Sequence, residues 1–266
     1  FEKEVNKPYS MVANIVLFIL RSDLYPINPN IYIEFDQYIA RMKAIIEAQR
    51  KSCYVPLVLH RDSNNPRVSK FGGVPPYLPK NGVKICTCGV KMDLCFSIYV
   101  PSLPDEVKQM FPSAHEYVVV GYACNSCYCV QKVDLFVDDE IDHLVYDDVP
   151  SELFNEPRTI IGYKHEYSYP QSISDDLQVA PNFQQYKQPD LYFLDKLLEG
   201  KDNSRTYFLG YPVFVQGDDS PKGYSLLLEM EESEQATNLW GDCGTCQVWM
   251  TTGEKFGDFC MQYACS

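Results

Sequence analysis

Two short clusters of cysteine constrain this chain more than any other feature: Cys86-Thr87-Cys88-Gly89 and Cys124-Asn125-Ser126-Cys127-Tyr128-Cys129. Each abuts an apolar run, Met92–Val100 after the first and Tyr117–Ala123 before the second. Both runs are rich in aromatic and β-branched residues and read as strands. Antiparallel pairing of the two would carry both clusters to one end of the ladder. Four thiolates supplied by two tight turns make a closed tetrahedral zinc site, which holds a fold together and leaves no position for substrate. The expected ligands of one structural Zn2+ are Cys86, Cys88, Cys124 and Cys127. Gly89 suits the tight backbone turn that a knuckle needs. Cys124-x-x-Cys127 has the usual knuckle spacing, whereas Cys86-x-Cys88 is one residue shorter. Cys129 competes with Cys124 or Cys127 as a ligand, and His115 is a distant substitute. The alternative to metal is a set of free thiols, since cysteine is often simply a small buried hydrophobe.

The remaining cysteines bear on compartment. The total of 11 is odd, so a complete disulfide framework would leave one over. A chain of 266 residues also buries enough core to do without disulfides. A reducing, intracellular, cytoplasmic setting is the expectation. Cys243, Cys246, Cys260 and Cys265 form a C-terminal set that reads as buried thiols ahead of a second metal. The formal net charge of −13 excludes a general nucleic-acid binder, because phosphate contact needs a basic surface. It suits a protein partner that is itself basic or that sits within a large complex, and equally simple solubility. Met11–Leu20 is too short to span a bilayer and lacks the flanks of a signal peptide. It reads as part of an amphipathic N-terminal helix.

Along the chain, residues 9–22 and 35–51 read as helices, the second through a stripe of Phe35, Tyr38, Ile39, Met42, Ile45 and Ile46. Strands follow at 55–59, 92–100 and 117–123, with a short helix within 101–115. Residues 134–202 carry Asp138-Asp139-Glu140, Asp147-Asp148 and Asp175-Asp176, and read as an acidic connection with a helix at 189–199. Strands return at 211–215, 224–230 and 246–251. Phe71-Gly72-Gly73-Val74-Pro75 ahead of two strands is matched by Phe208-Leu209-Gly210-Tyr211-Pro212 ahead of two more, which suggests duplication. The expected fold is α+β, with two similar antiparallel β-rich halves packed together and N-terminal helices. The expected divisions are an N-terminal helical segment (1–54), a first β-rich half with the knuckles (55–133), an acidic connecting region (134–205) and a second half (206–266).

Chemistry-bearing motifs are few. A nucleophilic cysteine needs a histidine to activate it, and none of the four histidines lies in a recognisable nucleophile motif. Walker, dinucleotide-binding, HExxH and GxSxG patterns are missing from the sequence. Asp242, in Trp240-Gly241-Asp242-Cys243-Gly244, reads as a turn-forming residue. The leading expectation is a non-enzymatic interaction module or a subunit of a larger assembly. The alternative that the residues themselves offer is an enzyme using Asp242 or a cysteine in a cleft between halves.

Several blocks resemble the YwqG-like family: Gly72-Gly73-Val74-Pro75, Cys86-x-Cys88-Gly89-x-x-Met92, Leu209-Gly210-Tyr211-Pro212, Gln216-Gly217-Asp218, Leu226-Leu227-Leu228-Glu229 and Trp240-Gly241-Asp242-Cys243-Gly244. The resemblance covers residues 69–266. It implies an α+β fold of two similar β-rich halves, no established catalytic residues and, in some members, zinc held by two knuckles. The programmed cell death protein two-like family is similar in layout, and its members act as chaperones for a ribosomal protein, so that likeness implies a further alternative for this chain, a chaperone for a basic, ribosomal-type protein.

Overall fold

Strands form where β-branched and aromatic side chains find apolar surroundings on both faces. The structure is a computed structural model and describes residues 40, 44, 47–124, 126–127, 131–146, 157–169, 206–214, 219–231, 244–253 and 256–264. Among them are strands β1 (Lys51–His60), β2 (Lys70–Phe71), β3 (Pro76–Tyr77), β4 (Asp93–Tyr99), β5 (Tyr117–Ala123) and β6 (Gln131–Val137). The later strands are β7 (Val145–Tyr146), β8 (Arg158–Ser168), β9 (Tyr207–Leu209), β10 (Ser225–Glu231), β11 (Thr245–Met250) and β12 (Phe259–Ala264). β5 has the bounds expected of it and is buried along its whole length.

One antiparallel sheet takes ten of the strands, in the order β12-β11-β10-β9-β1-β8-β2-β4-β5-β6, and β3 pairs with β7 apart from it. The two edge strands, β6 and β12, approach one another, so the sheet is barrel-like and nearly closed. The expected α+β fold of two halves packed together is therefore corrected to a mostly β fold built on one sheet. The physical cause is β8. It pairs with β1 over its full length and with β2 on its other side, while β1 pairs with β9. That exchange joins β2-β4-β5-β6 and β9-β10-β11-β12 into one hydrogen-bonded surface. The sequence likeness between the two stretches corresponds to these two meanders. Each carries an irregularity at a matching place, between Leu94 and Phe96 in β4 and between Leu226 and Leu228 in β10.

The sheet lies in one compact unit, residues 51–168 and 203–266. A second unit comprises residues 1–50 and 169–202. In that unit Ala40, Ala44 and 47–49 are helical, within the helix expected at 35–51, and the Tyr169 hydroxyl donates to Glu47 Oε1 at 3.0 Å. The helices expected at 9–22 and 189–199 lie outside the described residues. In the sheet unit the α-helices described are single turns, Asp105–Lys108 and Asp139–Asp142. No helix among the described residues is long and apolar enough to cross a membrane.

Successive side chains in a strand point to opposite faces, and β5 shows it. Val119 joins a cluster with Phe71, Phe96, Ile98, Phe208, Leu228 and Val248. Val118, Val120 and Tyr122 join a different cluster on the other face, with Leu94, Leu78, Ile141 and Cys124. A third cluster gathers Trp249, Leu226, Tyr207, Val55 and Cys53. The β4–β5 hairpin is thus clamped between two apolar layers, which fixes the place of whatever its ends carry.

Candidate metal centre

The β4–β5 register pairs Asp93 with Ala123. Cys124 follows β5 directly, and the first cysteine turn precedes β4. The two clusters therefore meet at one end of the ladder. The first turn is closed by its own backbone: Cys86 N–H donates to Val90 O at 2.8 Å and Gly89 N–H to Cys86 O at 2.9 Å. Gly89 takes φ +88°, a conformation that a side chain disfavours. An isolated bridge between Ile85 and Lys91 and a bond from Met92 N–H to Lys84 O (2.9 Å) tie the turn to β4. The shorter Cys86-x-Cys88 spacing thus still makes a tight knuckle. The second turn joins β5 to β6.

The structure brings together all four expected ligands. The sulfurs of Cys86, Cys88, Cys124 and Cys127 lie within 4.8 Å of one another. Cys86 Sγ is 3.4 Å from Cys127 Sγ, and Cys88 Sγ is 3.6 Å from Cys124 Sγ. Those separations are far longer than a disulfide bond of about 2.0 Å, and all four thiols are free. Four sulfurs at about 2.3 Å from a tetrahedral centre are spaced by about 3.8 Å. The donor set, its number and its spacing fit a single tetrahedral metal ion. Cys86 and Cys124 are buried, Cys127 is half-buried and Cys88 is exposed.

The electrostatics agree with the geometry. The backbone N–H of Cys88, with the neighbouring thiols, pulls the Cys86 thiol down to about 6. At Cys88 the Val90 N–H pulls the same way, but the Cys86 thiol, burial and the thiols of Cys124 and Cys127 push it up to about 12. One thiolate at this spot makes the next harder to form, as like charges in close quarters must. A divalent cation removes that conflict and lets all four ionise.

The other singled-out residues lie elsewhere. His115 is not among the clustered ligands and pairs through Nδ1 with Asp138 Oδ2 at 2.5 Å. Cys246 is fully buried in the main apolar cluster, and Cys260 faces Trp249 across β11–β12. Cys129, Cys243, Cys265 and Asp242 fall outside the described residues. Two buried polar groups escaped the sequence reading. Lys70, with a side chain 1% exposed, is paired to Asp62 Oδ1 at 2.6 Å and donates to Val74 O. Glu229 is wholly buried, pairs with the Thr245 hydroxyl and accepts from Val213 N–H at 3.3 Å. Its signal was available, as a lone carboxylate inside the apolar run Leu226–Met230.

A family model described as "Domain of unknown function (DUF1963)" matches residues 99–265. That range takes in Cys124 and Cys127 but not Cys86 and Cys88. No curated protein matches the chain.

Proposed function

Since the chain belongs to this family of unknown function (DUF1963), we propose its role from its own residues: a non-enzymatic protein-interaction module or structural subunit, braced by one zinc. The observation that carries this reading is the set of four cysteine sulfurs within 4.8 Å of one another. A shell of four thiolates leaves no coordination position open to water or substrate, so a metal there cross-links two turns and does no chemistry. Cys86 and Cys88 would hold it from the turn before β4, and Cys124 and Cys127 from the turn after β5. Bound zinc would supply folding free energy, since the unfolded chain has no preformed site. Free thiols at every described cysteine support a reducing, cytoplasmic setting. The likeness to YwqG-like proteins supports the same reading.

Chelation under reducing conditions tests it. Metal removal should lower the melting temperature and loosen the β4–β5 hairpin, seen as faster amide exchange there. The exposed ligand offers a second route, because Cys88→Ser should release metal without opening a core cavity. An unchanged melting temperature and exchange pattern in metal-free protein would overturn the brace.

The formal charge of −13 favours one further reading, a chaperone for a basic client. Capture from the protein's own cells at rising salt separates the two. A chaperone yields one basic client that is lost as salt screens the contact, whereas an assembly subunit brings down several proteins together.

A further inference from the structure

The cysteines of this chain differ sharply in how they meet solvent and one another. Cys88 is the one exposed thiol among the described cysteines, Cys127 and Cys260 are half-buried, and Cys53, Cys86, Cys95, Cys124 and Cys246 are buried. Burial pushes the Cys95 and Cys246 thiols up, so these two stay protonated and inert. A thiolate held for a metal and open to solvent is the opposite case, because oxidation of cysteine follows thiolate character and access. Two sulfur contacts then decide what oxidation can do. Cys88 Sγ lies 3.6 Å from Cys124 Sγ, and Cys86 Sγ lies 3.4 Å from Cys127 Sγ. Both contacts cross from the turn before β4 to the turn after β5. The Cys86-x-Cys88 turn is already fixed by Cys86 N–H on Val90 O and Gly89 N–H on Cys86 O, so a bridge inside it would have to distort that backbone.

We infer that the cluster is an oxidation site as well as a metal site: hydrogen peroxide converts its four thiolates into two cross-turn disulfides, Cys88–Cys124 and Cys86–Cys127, and the ion is released. The inference rests on the zinc-brace reading and names the regulation of that site. Cys88 Sγ, the accessible sulfur, attacks one peroxide oxygen. The O–O bond breaks, a hydroxide leaves and a sulfenic acid forms. Cys124 Sγ then attacks Cys88 Sγ, the S–O bond breaks, and a second hydroxide leaves as the S–S bond forms. The sulfur pair has lost two electrons, and one peroxide has gained them. A second peroxide oxidises Cys86 and Cys127 in the same way. Each pair needs to close by only about 1.5 Å to reach the bonding distance of about 2.0 Å. Sulfur in a disulfide is no longer a thiolate ligand, so the oxidised cluster does not hold the ion. The new bonds join the same two turns that the metal joins, and the β4–β5 hairpin keeps a brace in either state.

Stepwise hydrogen peroxide tests this on the full chain, purified with reductant that is then removed. Released zinc is read with a chromogenic chelator. Remaining thiols are blocked with N-ethylmaleimide, and the bridges are mapped by mass spectrometry of the unreduced digest. One zinc should leave for every two peroxides consumed, with the loss of four of the 11 thiols. Cys88–Cys124 should form first and Cys86–Cys127 second, and dithiothreitol with added zinc should restore the starting state. The oxidised, zinc-free chain should melt above the reduced, chelated chain, because it keeps a link between the turns. Bridges within a turn, bridges to Cys129, earlier oxidation of Cys53, Cys95 or Cys246, or an oxidised chain that melts below the chelated one would each overturn the inference. Zinc content before any peroxide is added reads the brace separately. A chain without zinc at that point sinks the brace, whereas a zinc-loaded chain whose four thiols survive the titration sinks the oxidation site alone.

Discussion

Replacing Gly121 by alanine tests the packing of the hairpin that carries the knuckles. Gly121 lies in β5 directly opposite Phe96 of β4, and the phenyl ring occupies the space a side chain would need. A Cβ built at Gly121 lies 2.8 Å from Phe96 Cδ1 and closer still to Cε1 and Cζ. Carbon atoms in contact prefer about 3.5–4.0 Å, so ring or strand must shift by about an ångström or more. Phe96 is 0% exposed, which leaves the ring no solvent to swing into. Overpacking of this kind typically costs about 1–3 kcal/mol, and the absence of slack puts Gly121→Ala near 3 kcal/mol. Phe96→Ala alone should cost about 3–5 kcal/mol through the cavity it leaves. In the Phe96→Ala background the new methyl has room, and alanine in a strand is better than glycine by about 0.5–1 kcal/mol. Gly121→Ala should then become neutral or stabilising. Urea midpoints of the four proteins, metal-replete and at one pH, give a coupling on the order of 3 kcal/mol. A Gly121→Ala cost that is the same in both backgrounds would refute the claim that the ring fills the glycine's space.

Two further perturbations follow from the buried polar groups. Burial pushes the Glu229 carboxyl up from 4.5 to about 8, so between those values the folded chain keeps a proton that the unfolded chain releases. The stability contributed by this group should therefore be fullest below pH 4.5 and fall towards pH 8, by as much as about 1.4 kcal/mol per pH unit. Glu229→Gln should flatten that slope in urea titrations, and an unaltered slope would remove Glu229 as its source. Asp62→Ala leaves the Lys70 ammonium buried with the Val74 carbonyl and the Tyr146 ring but no counter-charge, and should cost about 3 kcal/mol. Lys70→Met keeps the volume without the charge and should cost clearly less. The reverse order in thermal melts would contradict the account of the pair.

What the sequence disclosed, and what it hid, has a physical pattern. β4, β5, β10 and β11 were legible because their buried faces leave long runs of β-branched, aromatic and aliphatic residues. The cysteine spacing was legible because tetrahedral coordination demands few residues and tight turns. β8 was not, because Lys164-His165-Glu166-Tyr167 is largely exposed and reads as polar connection, although this strand joins the two meanders. A strand was expected at 211–215, but β9 is Tyr207–Leu209. Leu209 and Gly210 both adopt positive φ, +61° and +85°, which ends the extended backbone before Tyr211. The pairing of β1 with β8 and β9 depends on contacts between residues about a hundred positions apart or more, and local pattern carries no record of such choices. Lys70 shows the same limit: a lysine in sequence reads as surface, and only the fold brings Asp62 to it.

The central claim, that four cysteines hold one zinc as a brace, is tested most directly by zinc X-ray absorption on the protein purified without added metal. The account predicts one zinc per chain with a first shell of four sulfurs at about 2.3 Å, losing sulfur ligands in Cys88→Ser. A chain purified without metal, its four thiols freely alkylated while folded, would contradict it, as would a first shell of nitrogen and oxygen.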